Sequence, residues 1–432
     1  MKHKRLLYFS IKRFKSTVSN MSTECIKEKS QEKTLTFTRN EQVTHIGIPC
    51  CIMHTRTGCI PHLTEETLDY LDKKLIQNIY QVPLPSVIDY QDILEAANTN
   101  TLECLCMPNT SVLYATVQDF SCLPPSGYNT NKTVAVWGAG GKISVTPQSY
   151  MKLVEVLKPD IFQVLADGDV LKAESRKRII KSVNRSVQYL DECIKHHQQS
   201  KPLENSKMIC MIEGGNNLEE RKRCMKLMLE KLKGHEDCVW GFGIDALPRE
   251  KYISEGTKTV IKLLNDELPA GKPLLVHGFG HPLNIIDLIE DGVSVFDSTY
   301  VTELSESNHA LVYGIPSIDS SLSLLNGDAK TNCSIVDVDV RKFVETIDIS
   351  DSCFSRSFAP LVENCPCYTC VNHTRAYIQH LTVVNEMLAP VLLMLHNFHH
   401  HLTFFSALRN ELNACSNLKS FKQKLIALNS MH

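Results

Sequence analysis

The feature that most restricts the fold of this chain is an alternation, after about residue 132, of short apolar runs with longer helical segments. The runs have the length and composition of buried strands: Val134–Trp137, Ile161–Leu165, Met208–Ile212, Val239–Ile244, Leu274–Val276 and Val293–Phe296. Two of the intervening segments, residues 173–195 and 218–232, carry their apolar side chains at helical spacing. Because parallel strands require a crossover connection, the sequence predicts an α/β protein with a parallel sheet.

Polar or glycine-rich clusters follow nearly every predicted strand. They are Gly138–Gly141, Asp167–Asp169, Glu213–Gly215, Asp245, His277–Gly278 and Asp297. In a (β/α)8 barrel such strand ends meet on one face, where ligands bind, whereas a doubly wound sheet concentrates its ligand groups at one switch point. Because the clusters are spread over so many strands, we expect a (β/α)8 TIM barrel rather than an open sheet.

The strongest chemical signal is a group of three cysteines within six positions, Cys365, Cys367 and Cys370. Thiolates repel one another unless a cation gathers them, so this spacing is typical of a zinc site. The helical stretch that follows offers four candidates for a fourth ligand, and spacing does not choose among them: His396, His399, His400 and His401. Three thiolates and one imidazole leave no position for water, so one structural Zn2+ is predicted. The alternative is three buried or oxidisable thiols without a metal.

The charge balance and the cysteine count indicate which partners and which cellular compartment to expect. With 46 Lys+Arg and 48 Asp+Glu, the formal charge of −2 does not indicate a general nucleic-acid binder. The 17 cysteines are an odd number and are scattered outside the one group, which favours free thiols in a reducing, cytoplasmic compartment. No apolar run reaches the roughly 20 residues of a membrane-spanning helix.

The sequence divides into three parts. Residues 1–41 are predicted to be a basic N-terminal extension and linker, residues 42–350 the barrel body, and residues 351–432 the zinc-binding subdomain with the C-terminal helices. The first twenty residues hold six basic groups and no acid. They are typical either of a mitochondrial transit peptide or of a basic extension that is skipped when translation starts at Met21.

The residues after the cysteine group carry a likeness to a known family. Arg375–Tyr377, His380–Leu381 and Leu393–Asn397, with the Cys-x-Cys-x-x-Cys spacing, resemble the zinc subdomain of the tRNA-guanine transglycosylases. The fourth zinc ligand of that family is the histidine before an asparagine, and the resemblance assigns this role to His396. The likeness begins near His54 and includes further segments: Pro159–Ile161, Glu213–Gly215, His277–Gly280 and Gly292–Asp297. It implies a (β/α)8 barrel with a zinc-bearing insertion, from a family that exchanges guanine in the tRNA anticodon for queuine or a precursor.

Active members of this family use two carboxylates. One attacks the anomeric carbon of the ribose as guanine leaves, and the other handles the proton of the incoming base. The attacking aspartate corresponds to Asp297, although the residues after it depart from the family pattern. The second carboxylate belongs to an Asp-Ser-Gly-Gly-Phe-Gln motif, which the resemblance places at residues 138–143, with Gly138 in the position of the aspartate.

Two residues also depart from the family's base-recognition pattern. Glu213 replaces a glutamine and retains the capacity to bind an amine, whereas Ile244 replaces a glycine and predicts a filled pocket. The resemblance therefore implies a non-catalytic subunit, not an enzyme in its own right, with Asp297 as a remnant of the nucleophile. Such a subunit would form a heterodimer with a catalytic queuine tRNA-ribosyltransferase subunit and would support it by dimerisation and tRNA binding.

The sequence is also compatible with two other functions. The chain is an active transglycosylase if Asp297 is the nucleophile and Asp167 or Asp169 carries the proton. An unrelated barrel enzyme would instead use His277, Asp245 and His281, but the sequence lacks metal-site spacing such as H-E-x-x-H.

The sequence also contains candidate contacts for tRNA and for a membrane. The basic residues are Lys172, Arg176, Lys177, Arg178, Lys181, Arg185, Lys419, Lys422 and Lys424. The simpler interpretation of such runs is a solvated helix face. The family likeness implies a cytoplasmic protein with peripheral attachment to the mitochondrial outer membrane, with which the basic N-terminus agrees.

Overall fold

A computed structural model describes residues 34–39, 42–97, 101–122, 124–170, 175–316, 343–414 and 417–430. Its strands are β1 (Thr34–Arg39), β2 (Gln42–Gly47), β3 (Cys50–His54), β4 (Ile79–Pro83), β5 (Val112–Thr116), β6 (Val134–Gly138), β7 (Gly141–Val145), β8 (Ile161–Gln163), β9 (Lys207–Ile212), β10 (Val239–Ile244), β11 (Leu274–Val276), β12 (Val295–Asp297), β13 (His309–Leu311) and β14 (Thr346–Asp348). The predicted N-terminal extension up to residue 33 lies outside the described residues.

The α-helices are α1 (Glu65–Leu68), α2 (Leu84–Val87), α3 (Gln91–Ala97), α4 (Thr101–Cys104), α5 (Pro147–Leu157), α6 (Arg176–Gln199), α7 (Leu218–Lys231), α8 (Glu255–Glu267), α9 (Pro282–Glu290), α10 (Thr299–Glu306), α11 (Tyr368–Asn372), α12 (Arg375–Val383), α13 (Leu388–Asn413) and α14 (Leu418–Asn429). Within the described part of the chain, no helix combines the length and hydropathy needed to cross a lipid bilayer.

Eight parallel strands close into a barrel in the order β3-β4-β5-β8-β9-β10-β11-β12. The barrel closes because β12 pairs with β3, with Asp297 opposite Ile52. Apolar side chains at alternate positions fill the interior, among them Ile52, Tyr114, Met211 and Leu275, while their neighbours along each strand pack against the helices. The predicted (β/α)8 barrel is therefore confirmed.

The predicted strand Val134–Trp137 is not part of the barrel. It forms β6, which pairs antiparallel with β7 in a separate two-stranded sheet. The prediction was wrong because an apolar run indicates a buried strand but not the strand with which it pairs. Conversely, β3, β4 and β5 are barrel strands that the alternation did not reveal, since only short helices separate them.

The hairpin of β1 and β2 lies at the amino-terminal end of the barrel. Leu35, Phe37 and Ile46 belong to the same apolar cluster as the interior strand residues, and the Phe37 and Trp240 ring centroids are 6.2 Å apart. The first barrel residues of β3, β4 and β5 belong to this cluster as well. Strand β1, from Thr34, therefore packs with the barrel although it lies before residue 42.

The C-terminal part is built on one long helix. After α10, β13 pairs antiparallel with β14, and the chain then forms α11 and α12. The first turns of α13 pack with them in a small apolar core that includes Leu361, Ile378 and Leu392. Further along α13, Phe404 and Phe405 enter the main core of the barrel. This helix therefore joins the cysteine-containing subdomain to the barrel.

Candidate metal centre and barrel-mouth site

Cys365, Cys367, Cys370 and His396 form one compact group. One ligand atom from each residue lies within 4.8 Å of the ligand atoms of the other three. The Nδ1 atom of His396 is 3.4 Å from the Cys367 sulfur and 3.3 Å from the Cys370 sulfur. Three of these side chains are buried and Cys365 is half-buried. The four residues therefore converge on a single point away from bulk water.

Local structure orients the four donor atoms. Cys367 caps the amino terminus of α11, and its sulfur accepts the backbone N–H of Cys370 at 3.3 Å. The Nε2–H of His396 donates to the carbonyl of Leu311 at 2.7 Å, which leaves Nδ1 facing the sulfurs. A backbone carbonyl bound to the second imidazole nitrogen is the usual support for a metal-ligating histidine.

Of the four candidate histidines, only His396 joins the cysteines. Burial lowers the pKa of His400 to about 3 and that of His401 to about 4, so both are neutral core groups. Burial likewise lowers the pKa of His399. Position along α13 makes this choice: His399 and His400 lie on the same face but about one helical turn beyond His396, and His401 points to a different side of the helix.

The donor set fits a metal ion with four protein ligands. Three sulfurs and one nitrogen complete a tetrahedral shell without water, so a bound ion would stabilise the fold rather than activate a nucleophile. Hydrogen bonds among the three thiols lower the pKa of Cys365 and raise that of Cys367. A metal ion that bound all three as thiolates would therefore have to displace protons from the group. Such an ion would join α11 to α13 and hence the subdomain to the barrel.

Asp297 lies at the carboxyl end of β12, fully buried. Its Oδ2 atom accepts from Nδ1 of His277 at 2.5 Å. Its Oδ1 atom accepts from the backbone N–H groups of Gly278 and Thr299, at 3.1 and 3.2 Å, and from the Thr299 hydroxyl at 2.5 Å. Burial alone would raise its pKa, but these bonds, chiefly that from His277, lower the pKa to about 2.

Aromatic rings cover His277. The Phe120 ring stacks on the imidazole with centroids 3.8 Å apart and planes within 8°. Tyr114 also stacks with it, and the Tyr114 hydroxyl is 3.2 Å from Nε2. A planar base could lie between Phe120 and His277 only if the two rings separated. This packing seals Asp297 from solvent, and its oxygens are already occupied, so the carboxylate is not placed to attack a ribose carbon.

Gly138 ends a strand that lies outside the barrel. It pairs with Gly141 at the turn of the β6–β7 hairpin, and its nearest side chains are those of Ile88, Asp89 and Ile143. It is therefore not at the end of a barrel strand. The carboxylate that follows the preceding barrel strand, β5, is Asp119.

Asp119 is held in its own network of hydrogen bonds. It accepts from Nε2 of His54 at 3.0 Å, from both the backbone N–H and hydroxyl of Ser121, and from Arg56 at 3.4 Å. Burial opposes ionisation, yet the contacts with His54 and Ser121 together outweigh it and lower the pKa of Asp119 far below the ordinary value. A carboxylate with so low a pKa is a poor proton carrier at neutral pH.

Asp167 is likewise committed to structural contacts. Arg178 donates two hydrogen bonds to its carboxylate, at 2.6 and 2.8 Å, and Arg185 donates a third at 2.9 Å. Although burial raises its pKa, the contact with Arg178 brings the pKa below the ordinary value. Asp169 accepts from the N–H of Gly127 at 2.6 Å. The carboxylate of Asp167 is therefore held by two arginines and is not free to move a proton.

Glu213 is the one buried carboxyl at this mouth that lacks a hydrogen bond to the described residues. Burial, reinforced by the neighbouring Asp245, raises its pKa well above the ordinary value. Both of its oxygens can still accept a hydrogen bond, so the amine contact expected from the sequence stays a prediction. The nearby guanidinium of Arg221 donates to backbone carbonyls, including those of Gly215 and Asp245.

Ile244 does not fill a pocket inside the barrel. Its side chain belongs to the apolar layer between the strands and the helices, whereas the preceding Gly243 lies against Met211 of the interior. The alternation of side chains along β10 explains this placement. Phe120, which the sequence did not single out, covers the site instead.

The residues proposed for an unrelated enzyme are bonded to different partners. His281 caps α9 and lies 3.3 Å from Glu345, while His277 contacts Asp297. Burial lowers the pKa of His281 to about 3. Asp245 accepts from the adjacent backbone N–H of Ala246 at 2.7 Å.

Comparison with known proteins places the chain in a family. A family model described as queuine tRNA-ribosyltransferase matches residues 31–430. The chain belongs to this queuine tRNA-ribosyltransferase family. Three relatives, from Gallus gallus, Homo sapiens and Danio rerio, carry the name queuine tRNA-ribosyltransferase accessory subunit 2.

Identity to these family members extends over most of each chain. The Gallus gallus protein is 36% identical over 382 residues, which is 85% of this chain and 88% of the relative. The Homo sapiens protein is 35% identical over 385 residues, or 85% and 90%. The Danio rerio protein is 35% identical over 394 residues, or 88% and 92%.

The residues that sequence reasoning missed are those that close the barrel mouth. His54, Tyr114, Asp119 and Phe120 come from β3, β5 and the segment after β5. The sequence does contain a signal for these residues, because polar residues follow β3 and β5 just as they follow the later barrel strands. It was overlooked because β3 and β5 were not recognised as barrel strands.

Proposed function

We propose that this chain is the non-catalytic accessory subunit of a heterodimeric queuine tRNA-ribosyltransferase. It supports a catalytic subunit, which exchanges guanine for queuine at the tRNA wobble position, by dimerisation and tRNA binding. The observation that carries the proposal is the closed environment of Asp297. The family's attacking carboxylate is retained, but its oxygens are bonded to His277, Gly278 and Thr299 and the stacked rings shield it.

The metal that the Cys3His group holds in this proposal is a single structural Zn2+. Thiolate and imidazole donors in a four-ligand set are those that zinc prefers. Cys365, Cys367, Cys370 and His396 would hold the ion and so fix the position of α11 and α12 on α13.

The surface that receives the catalytic subunit is proposed to lie on the zinc subdomain. Seven of the thirteen large apolar side chains that are exposed in the described residues fall between residues 358 and 388. We call them the subdomain patch: Phe358, Val371, Tyr377, Val383, Val384, Met387 and Leu388. Phe358 is 81% and Met387 is 86% exposed. Exposed apolar groups concentrated on one small subdomain are typical of a protein–protein interface.

Location is a further part of the proposal. We propose a cytoplasmic protein that attaches peripherally to the mitochondrial outer membrane. The six basic residues among the first twenty support this location. Fractionation of cells that express the full chain, or a chain starting at Met21, tests this. Equal amounts of both forms on mitochondria would contradict a role for the first twenty residues.

The experiment that tests the function uses tRNA and radiolabelled guanine. The purified chain is incubated with both, alone and together with the catalytic subunit. We expect the two proteins to co-elute and label to enter tRNA only when both are present. Label incorporated by this chain alone would overturn the proposal in favour of an active transglycosylase that uses Asp297. Failure of the two chains to associate would overturn it as well.

A further inference from the structure

The hairpin of β6 and β7 has one apolar face and one polar face. Val134, Val136 and Val145 are buried in the main core. Trp137 and Lys142 are direct partners across the strands, so they share the opposite face. Because the hairpin follows β5, it lies at the carboxyl end of the barrel, where loops carry binding groups in this fold.

Tyr128 lies beside Trp137 and Lys142 and is exposed. Its ring meets Trp137 edge-on, with centroids 5.3 Å apart and planes at 84°. The Lys142 ammonium is 5.0 Å from the centre of the Tyr128 ring. Nevertheless, 47% of the Tyr128 residue surface remains accessible. The hairpin therefore holds an aromatic ring and a cation together at the protein surface.

Further exposed cations lie on α6, the helix to which the loop after Tyr128 is bonded. The loop after Tyr128 is bonded to α6, since Arg185 donates to the side chain of Asn131 at 2.9 Å and Tyr189 donates to the carbonyl of Thr130 at 2.8 Å. Arg176, Lys177 and Lys181 are exposed at the start of the same helix. Lys132, within the loop, is exposed too.

The basic residues of α6, of the hairpin and of α14 differ in whether a carboxylate already binds them. Arg178 and Arg185 are bound to Asp167, and Lys422 of α14 is bound to Asp287. Five exposed cations make no salt bridge to any other residue that the structure describes: Lys132, Lys142, Arg176, Lys177 and Lys181. With Tyr128 they form what we call the hairpin–α6 surface. Unpaired cations around an exposed ring match a partner that carries both phosphates and flat bases.

We infer that the hairpin–α6 surface binds the tRNA substrate of the complex, with Lys132 and Lys142 on phosphates and Tyr128 stacked on an unpaired base. This inference rests on the proposed accessory function and adds to it the surface that contacts RNA. RNA recognition by stacking requires an unpaired base, so Tyr128 contacts a loop rather than a helical stem.

The test measures binding of tRNA to the assembled heterodimer over a range of salt concentrations. Lys132→Ala with Lys142→Ala should weaken binding about tenfold and lower the slope of log K against log salt by about 1 for each lysine. Tyr128→Ala should weaken binding about tenfold without changing the slope, because stacking releases no counterions. Tyr128→Phe keeps the ring and should bind like the wild type.

A matched control removes two exposed lysines elsewhere. Lys419→Ala with Lys424→Ala makes the same charge change on α14 and should leave both affinity and slope within twofold of the wild type. The inference is overturned if this control variant loses as much affinity as the hairpin variant. It is also overturned if the hairpin variants bind tRNA normally but no longer bind the catalytic subunit, since the surface would then be a protein interface.

Formation of the heterodimer distinguishes a wrongly assigned RNA surface from a wrong function. If the heterodimer forms and exchanges guanine while the Tyr128 and lysine variants bind tRNA like the wild type, only the surface is wrongly assigned. If no heterodimer forms, the accessory function itself is wrong, and the surface assignment falls with it.

Discussion

Asp297 shows how a carboxylate can remain at the mouth of a barrel without being available for chemistry. A nucleophile requires an accessible oxygen, whereas the oxygens of Asp297 accept hydrogen bonds and the residue is fully buried. Its bond to His277 also orients that imidazole under Phe120. The residue has therefore become part of the packing of this region.

The Asp297→Asn variant tests this role. We expect it to lower the free energy of unfolding by about 1–3 kcal/mol, because a buried charge-assisted hydrogen bond to His277 is lost. Guanine exchange by the heterodimer should stay within twofold of the wild type. Urea unfolding and the labelled-guanine assay measure the two effects, and a large loss of exchange by an intact heterodimer would show that Asp297 is catalytic.

The same variant should change how the protein responds to acid. The pKa of Asp297 lies at about 2 in the fold against an ordinary value of 3.8, so its ionised form stabilises the fold above pH 3.8. This contribution is lost as the pH falls from 3.8 towards 2. The wild type should therefore lose more stability over this interval than Asp297→Asn does, as measured by urea unfolding at each pH.

At the scale of secondary-structure elements, the short pair of β13 and β14 determines how the subdomain meets the barrel. Glu345, just before β14, accepts a hydrogen bond from Tyr300 of α10 at 2.7 Å and lies 3.3 Å from His281. Leu311 of β13 provides the carbonyl that orients His396. One pair of strands thus contacts both the barrel helices and the metal centre.

Glu345 should make the stability of this junction depend on pH. Burial raises its pKa from 4.5 to about 7, even though the bond with Tyr300 and the charge of Lys251 act in the opposite direction. The fold therefore binds a proton that the unfolded chain releases, and stability falls as the pH rises from 4.5 to about 7.

The measurement compares the wild type with Glu345→Gln by urea unfolding over this pH interval. The wild type should lose about 1 kcal/mol per pH unit relative to the variant, which cannot ionise. A difference that stays constant with pH would mean that Glu345 is already ionised throughout.

Removal of the metal should loosen the subdomain more than the barrel. We expect His396→Ala to lose bound zinc, as measured by metal analysis, and to expose α11 and α12 to hydrogen exchange while the barrel strands stay protected. His399→Ala is the matched control on the same helix and should keep its zinc, because His399 is not in the Cys3His group. Equal zinc loss in both variants would contradict the assigned ligand set.

At the scale of the whole molecule, potential contact surfaces lie in two separate regions of the sequence. The subdomain patch is apolar and lies next to the metal centre, whereas the hairpin–α6 surface is basic and follows β5 and β8. The chain as a whole carries a formal charge of only −2, so binding to RNA depends on local charge. This arrangement suits a subunit that binds a protein and an RNA together.

The Met387→Asp variant tests the subdomain patch. Placing a charge at this exposed position should weaken association with the catalytic subunit at least tenfold, because the charge would be buried without a partner in the interface. Ile93→Asp is the matched control, since Ile93 is 65% exposed on α3, outside the subdomain. Equal affinity of both variants for the catalytic subunit, measured by titration, would place the interface elsewhere.

The sequence by itself determined the features that depend on neighbours along the chain. The repeated strand and helix pattern after about residue 132 indicated a parallel sheet, the polar clusters that follow its strands favoured a barrel, and the spacing of Cys365, Cys367 and Cys370 indicated a metal group. Hydrophobic periodicity and ligand spacing are local properties, so they can be recognised without knowing the fold.

Only the tertiary structure decided which distant residues meet. It excluded Val134–Trp137 from the barrel, because strand pairing is a long-range choice that an apolar run does not encode. It brought His396, which the family likeness had already indicated, to the three cysteines, and it stacked Phe120 on His277, 157 positions further along the sequence. The availability of Asp297 for chemistry depends on these contacts, since hydrogen bonding and burial belong to the packed state and not to the residue alone.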